Sequence, residues 1–240
     1  AIARLRRFVL ELAVRGKLVE QDPNDEPASE LLKRITEEKE RLVQAGEVKK
    51  EKSAPQSCQD AASFELPSSW AWTSLGAVLI IIKNGLNTKT SKEPEKFKVT
   101  RIETISFETI DLSRVGYLKS LPSEIQKKHA IRRGDILFSH INSEAHLGKT
   151  AICETEDATL VHGVNLLLLR SSEQIDSSFL NLTLRQFRGS GFFASIAQRA
   201  VNQSSINQKN LCRTTIPIPP LAEQKRTWRR STNSWPSATA

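Results

Sequence analysis

The sequence predicts an α+β fold in which an N-terminal helical hairpin precedes a domain built on a mixed sheet. Two observations support this prediction. Apolar residues recur at helical spacing in segment 1–46, and from residue 64 many short alternating segments are separated by turn residues. Many short strands with a few helices are typical of the α+β class.

The segment 1–46 is predicted to form two N-terminal helices. Apolar residues follow helical spacing from Ile2, and Gly16 is expected to end the first helix. After a polar turn, the second helix begins at Pro27, a residue suited to the first helical turn, and ends at Gly46.

The next segment, 47–63, is charged and then small and polar, and it is predicted to be a linker. A domain is predicted over 64–220. Its expected strands are 70–76, the apolar run to 82, 98–105, 134–138, 150–153, 159–161 and 165–170. Helices are expected over 178–186 and 191–199, and an extended proline-rich segment over 216–220.

The charge distribution favours a polyanionic partner, which is most often a nucleic acid. The formal net charge is +8. Segment 83–149 carries 13 basic and 8 acidic residues, and segment 181–240 carries 9 basic and 1 acidic residue.

The sequence lacks the motifs of several classes of enzyme. The sequence has no glycine-rich nucleotide loop, no GxSxG motif and no metal-type spacing among its histidines and three cysteines, so no enzyme activity, cofactor or metal is expected. No apolar run reaches the roughly 20 residues of a membrane span, and the scattered cysteines favour a reducing cytoplasm.

Four stretches, taken in order, resemble the specificity subunits of type I restriction-modification systems. They are LRRFVLELAVRGKLVEQDPNDEPASELLKRI (5–35), ELPSSWAWTSLGAVL (65–79), RRGDILFSHINSEAHLGKTAI (132–152) and VNQSSINQKNLCRTTIPIPPLAEQKR (201–226). The second stretch resembles the family's entrance to a target recognition domain, and the fourth resembles its exit.

The resemblance implies a DNA-binding subunit without catalytic activity that reads one half of a bipartite target. The implied partners are double-stranded DNA, methyltransferase (modification) subunits and a restriction subunit, and the helices allow self-association. Segment 64–220 would be the single target recognition domain, and 221–240 would begin the family's long spacer helix. Two alternatives stay open: a truncated remnant that does not assemble, and a half-subunit that acts as a dimer.

DNA readout needs hydrogen-bonding side chains on loops held by a rigid scaffold, with basic residues to anchor phosphates. Three loops have this composition, although each is also compatible with an ordinary solvated loop or, for the third, a structural turn or phosphate clamp. The candidate DNA-binding residues are Lys83, Asn84, Asn87, Thr88, Lys89 and Lys92; Ser139, His140, Asn142, Ser143, His146 and Lys149; and Gln203, Ser204 and Lys209.

Each of three further side chains, Trp70, Trp72 and His162, has two interpretations. Trp70 and Trp72 are expected on one face of a strand, where packing is favoured over stacking on a base. His162 either joins the second loop or is a core histidine.

The residues after Arg226 are interpreted as an out-of-frame tail, because TWRRSTNSWPSATA shows no helical period. With one base restored, an allowed coding of this tail reads Ile-Val-Glu-Glu-Val-Asp-Glu-Leu-Met-Ala-Leu-Cys-Asp. Apolar residues would then fall at positions 227, 231, 234 and 238, which is a heptad pattern. Because the synonymous codons are free choices, a natural tail is the alternative, and the gene sequence decides between them.

Overall fold

Helical and strand segments alternate along the chain in the computed structural model, which describes residues 2–48, 64–106, 109–200 and 203–233. The helices are α1 (Ile2–Val14), α2 (Ala28–Gln44), α3 (Leu75–Val78), α4 (Ser123–His129), α5 (Ser177–Gly189), α6 (Phe192–Ser195), α7 (Gln208–Cys212) and α8 (Leu221–Asn233). The strands are β1 (Ala71–Ser74), β2 (Leu79–Asn84), β3 (Phe97–Val99), β4 (Ile105–Ser106), β5 (Thr109–Ile110), β6 (Gly116–Leu118), β7 (Ile136–Ser139), β8 (Ile141–Asn142), β9 (Thr150–Ile152), β10 (Leu160–Val161), β11 (Leu166–Ser171), β12 (Gln198–Ala200), β13 (Gln203–Ser205) and β14 (Thr215–Ile218). The α+β class is confirmed.

The chain divides into two units. Unit 1 comprises Ala1–Ile80, Ser171–Ser190 and Lys209–Ala240, and unit 2 comprises Ile81–Arg170 and Gly191–Gln208. The predicted division into 1–46, 47–63, 64–220 and 221–240 stays a prediction, and most of the predicted linker lies outside the described residues.

The core of unit 1 forms where α1 packs on α5 and α8. Leu10, Ala13 and Val14 lie three or four residues apart and are buried together with Leu182 of α5. The helix ends as predicted, since Gly16 adopts a positive φ of 68°. A Cβ there would lie 2.6 Å from the ring of Pro67, so the position requires glycine.

The second helix, α2, buries one face and packs on α3. Its buried residues, Ala28, Leu31 and Ile35, follow helical spacing. The Lys39 ammonium donates to the carbonyl of Gly76 over 2.7 Å, which satisfies a carbonyl at the end of a short helix.

Two adjacent polar residues anchor the start of α8. Gln224 is fully buried, accepts a hydrogen bond from the Asp176 amide (2.8 Å) and donates to the Pro219 carbonyl (3.0 Å). Glu223 is equally buried and accepts from Gln21 over 2.7 Å. Burial raises the pKa of Glu223. The Glu-Gln pair of the fourth stretch therefore has a structural role, because it holds the start of α8 in place.

The helical pattern of α8 does not break after Arg226, contrary to the interpretation of its sequence. The helix continues to Asn233, with Thr227 and Ser231 buried four residues apart and Trp228 packed on the α1 core. The helical period of buried positions continues through these two small hydroxyl residues, which are overlooked when only apolar residues are considered. Residues 234–240 lie outside the described residues, and the reading-frame interpretation stays a hypothesis.

Unit 2 is centred on a sheet with strand order β2-β11-β7-β9. Side chains alternate between its faces, as the strand period requires. Leu137 of β7, Leu166 and Leu168 of β11 and Ala151 of β9 share one buried cluster. Phe138, next to Leu137, meets Phe193 at a centroid distance of 5.0 Å.

Some predicted elements are shorter than expected. The strand expected over 98–105 ends at Val99, and a 3-10 turn over Ile102–Thr104 leads into β4. The helix expected over 191–199 ends at Ser195, because the chain then pairs as β12 with β13. Among the described residues, no helix combines the length and apolar character needed to cross a membrane.

Candidate nucleic-acid interface

The second and third candidate loops meet on a three-stranded sheet of unit 2, with strand order β12-β13-β8. Asn142 of β8 lies opposite Ser204 of β13, and the two strands are antiparallel. The Ile206 amide donates to the His140 carbonyl over 2.9 Å and extends this pairing. Residues separated by about 60 positions in sequence thus share one surface.

The second loop is closed at its base and exposed at its tip. The Ser139 amide donates to the Lys149 carbonyl, and the Gly148 amide donates to the Ser139 carbonyl, both over 2.8 Å. Leu147 is buried, and a Cβ at Gly148 would lie 2.6 Å from the Phe193 ring. These anchors present Ser143 and His146 at an exposed tip.

Three candidate residues of these loops lie in the interior. Ser139 has 1% of its surface exposed, His140 has 8% and Ser204 has 6%. Ser139 ends the fully buried strand β7, so its side chain points into the protein. Burial lowers the pKa of His140. These three residues support the loops and do not present side chains at the surface.

Asn142 shapes the second loop from within. Its amide Nδ2 donates to the Ser139 hydroxyl over 3.1 Å, and its Oδ1 accepts from the Ser143 amide over 2.8 Å. Gln203, on the neighbouring strand, is exposed, and Lys149 is partly buried. Lys209 lies in α7 and is exposed in unit 1.

The first candidate loop, 83–92, is anchored at both ends and exposed between them. The Leu86 amide donates to the His162 carbonyl over 2.8 Å, and Ser91 and Tyr117 exchange two backbone hydrogen bonds. The exposed candidates of this loop make no side-chain hydrogen bond or ion pair with other described residues. They are Asn84, Asn87, Thr88, Lys89 and Lys92.

Lys83 differs from the rest of its loop. It is partly buried, and its ammonium donates to the carbonyl of Lys128. Burial lowers the pKa of Lys83, and the nearby Arg170 acts in the same direction. The structure therefore uses this candidate phosphate anchor as an internal support.

His162 is a core residue, which resolves the two interpretations of its sequence position. It is fully buried, and its Nε2 lies 3.0 Å from the Leu166 carbonyl. Its ring centroid is 6.4 Å from that of His129. Burial lowers the pKa of His162 to about 3.

The stability of the protein should therefore fall with pH below the ordinary histidine pKa. Because the folded state resists protonation of His162 and the unfolded state does not, its contribution is present above pH 6.5 and is lost as the pH falls towards about 3. The expected loss is up to about 1.4 kcal/mol per pH unit. Urea unfolding across this range should give a shallower pH slope for His162→Gln, while the exposed-site control His146→Gln keeps the wild-type slope. Equal slopes for all three proteins would contradict the assignment.

The two tryptophans pack against aromatic side chains of unit 1, in agreement with the favoured interpretation. Trp70 is buried and meets Phe179 edge to face at a centroid distance of 6.1 Å. Trp72 meets Phe64 at 5.0 Å. Trp70 directly precedes β1, so only Trp72 lies within the strand.

Sequence reasoning missed two groups of surface residues in unit 2. Gln198 and Arg199 lie exposed on β12, and Arg199 pairs with Glu144 of the second loop at 3.2 Å. Of two exposed basic pairs, Lys127-Lys128 lies in the last turn of α4 and Arg132-Arg133 lies just after the helix. The motif KKHAIRR was visible in the sequence but was not separated from the general basic excess. The described residues contain no group of three or more His, Cys, Asp or Glu placed to hold a metal ion.

The chain is similar to known proteins in both sequence and fold. Residues 67–232 match the family model described as the type I restriction modification DNA specificity domain. A putative type I restriction enzyme MjaX specificity subunit of Methanocaldococcus jannaschii is 47% identical over 163 residues, which cover 68% of this chain and 38% of that protein. The EcoAI specificity subunit of Escherichia coli is 35% identical over 241 residues, covering 94% of this chain and 38% of that protein.

The fold is also similar to a solved structure. The HsdS subunit of Thermoanaerobacter tengcongensis has a TM-score of 0.52 and 19% identity, covering 97% of this chain and 48% of that chain. The chain thus spans less than half the length of these relatives. Because the family model covers more than half of the chain, the protein belongs to the type I restriction-modification DNA specificity family.

Proposed function

We propose that the chain is the DNA-reading part of a type I specificity subunit. In this proposal it reads one half of a bipartite duplex target and brings modification and restriction subunits to that site. It acts in the cytoplasm, uses no cofactor and performs no catalysis itself. The candidate residues on the exposed loops of unit 2 supply the readout.

One observation carries the proposal: the β12-β13-β8 sheet joins two candidate loops that are far apart in sequence. It places exposed Gln203 beside the closed loop that presents Ser143 and His146. Glutamine pairs bidentately with adenine, and serine and histidine supply further donors or acceptors. A rigid loop base reduces the entropy lost when these side chains bind.

Selection from a random duplex library tests sequence reading by the chain co-expressed with a modification subunit. An enriched half-site is expected. Gln203→Ala and His146→Ala should each weaken binding to it by about 5- to 150-fold, which corresponds to 1–3 kcal/mol for a lost base contact. Gln44→Ala, an exposed amide at the end of α2, should bind as the wild type does. Failure to enrich any sequence would refute the proposal.

Co-purification separates the proposed role from its alternatives. A working subunit should remain bound to the modification subunit through size-exclusion chromatography. A remnant should elute alone, and a half-subunit dimer should elute with two copies of this chain in the complex.

A further inference from the structure

Four exposed cations surround the end of α4: Lys127, Lys128, Arg132 and Arg133, called the basic patch below. None of them forms an ion pair with another residue in the described parts of the chain. No candidate loop discussed above includes them. They therefore form a group distinct from the loop residues.

Backbone hydrogen bonds and buried side chains fix the segment that carries the basic patch. His129 and Ile131, between the two basic pairs, are buried. The His162 amide donates to the His129 carbonyl over 2.8 Å, and the Ile131 amide donates to the Leu160 carbonyl over 3.3 Å. With the interior side chains fixed, the cations on either side remain at the surface.

Lys83 adds to this arrangement without being exposed itself. Its ammonium donates to the backbone carbonyl of Lys128. This bond supports the end of α4 and leaves the Lys128 side chain free to face solvent. It also brings one more positive charge below the patch, in a partly buried position where salt screens it less.

The buried carboxylate next to the patch, that of Asp135, already has hydrogen-bond partners. Asp135 accepts two hydrogen bonds from Arg170, both 2.7 Å long, and a third from the Arg132 amide, also 2.7 Å. The charged groups that act on Lys83 are Arg170, Arg132, Lys128 and Asp135. With Lys83 these five groups contain four cations and one anion, which leaves a net charge of +3. On the surface itself, segment 123–133 exposes four cations, Lys127, Lys128, Arg132 and Arg133, and one anion, Glu124, which also leaves a net charge of +3.

We propose that the basic patch binds the phosphate backbone of duplex DNA. The inference rests on the proposed function and adds a contact that does not depend on sequence. Duplex DNA carries one negative charge per about 1.7 Å of its axis, so a set of exposed cations can meet several phosphates at once. Phosphate contacts fix position and orientation, and the exposed loops then select the sequence.

The salt dependence of DNA binding tests whether the basic patch makes phosphate contacts. The patch variant K127Q/K128Q/R132Q/R133Q is compared with the control R4Q/R7Q/K17Q/R41Q, which removes the same charge from exposed positions in unit 1. Binding to a random-sequence duplex is measured by fluorescence anisotropy between about 50 and 200 mM salt. Each phosphate contact contributes about 0.9 to the slope of log K against log salt.

The slope should become shallower by about two to four in the patch variant and by less than about one in the control. Amine-reactive labelling of Lys127 and Lys128 in the wild type should decrease when the duplex is bound. In the library selection the patch variant should retain the wild-type motif with weaker binding. Thermal unfolding confirms that both variants fold.

The outcomes distinguish the two proposals. Phosphate binding by the basic patch would be refuted if the slope changed equally in the patch variant and the control, or if the duplex did not affect labelling. Either result would leave the proposal of sequence reading intact. A folded wild-type chain that binds no duplex, alone or with its modification subunit, would overturn the proposed function and the basic patch with it.

Discussion

Replacing Asp135 with alanine is expected to lower the free energy of unfolding by about 3–5 kcal/mol. The carboxylate is 1% exposed, and its partner Arg170 has 18% of its side chain exposed. Removing the acid leaves a partly buried guanidinium without its counter-charge and the Arg132 amide without its acceptor. Both groups are then buried without a partner, and water replaces the lost interactions only in part.

Urea unfolding of Asp135→Ala against Asp111→Ala measures this effect. Asp111 also pairs with an arginine three residues away, and it caps a short turn through the Ser113 amide. Its ion pair is more exposed, with side-chain exposures of 56% for Arg114 and 29% for Asp111, so its loss should cost about 0.5–2 kcal/mol. Replacing both Asp135 and Arg170 with leucine should recover part of the loss, because no charge is then left buried. Similar values for the two alanine variants would show that Asp135 has no special role.

Elements with a strong local hydrophobic period were predictable from the sequence. The helices α1 and α2 begin and end within about two residues of their predicted bounds. The same holds for β7, β9 and β11, whose apolar runs are long enough for a buried strand. In each case one or both faces are buried, so the spacing or length of the apolar run in the sequence indicates which residues are buried.

Short polar elements were not predictable, because their partners lie far away in sequence. The strand β13 reads as Gln-Ser-Ser and exists through pairing with β12 and with distant β8. Periodicity over three residues cannot indicate such a strand. This pairing creates the candidate interface, so its location emerged only from the structure.

Side-chain exposure was the least predictable property of the candidate site. The loop 83–92 contains lysines of the same type, yet Lys83 is partly buried while Lys89 and Lys92 are exposed. His140 and His146 differ in the same way within the second loop. A polar residue enters the interior where the fold provides a backbone acceptor, and tertiary structure alone decides this.

Replacing Gly163 with alanine is expected to destabilise unit 2 and to displace the first candidate loop. A Cβ at Gly163 would lie 1.9 Å from the Thr100 carbonyl oxygen, and a Cβ at Gly85 would lie 1.8 Å from the Gly163 carbonyl oxygen. Both obstructing atoms belong to the backbone and cannot rotate away. The expected cost is at least about 1–3 kcal/mol, the usual range for overpacking.

Gly189→Ala is the matched control, because a Cβ there meets no atom within 4 Å and the residue ends helix α5. That substitution should leave stability unchanged or raise it by up to about 1 kcal/mol through helix propensity. Denaturant midpoints compare the two variants. A Gly163→Ala protein as stable as Gly189→Ala would show that the backbones separate at low cost.

Hydrogen exchange at Leu86 links this packing to the proposed readout. The Leu86 amide donates to the His162 carbonyl next to Gly163, so a displaced backbone should break that bond and speed its exchange. The exposed Asn87 and Lys89 follow directly, and their positions depend on the same attachment. Gly163→Ala should therefore weaken selection of the library motif more than it weakens binding to random-sequence duplex. An equal loss on both DNAs would mean that the first loop contributes phosphate contacts and no base reading.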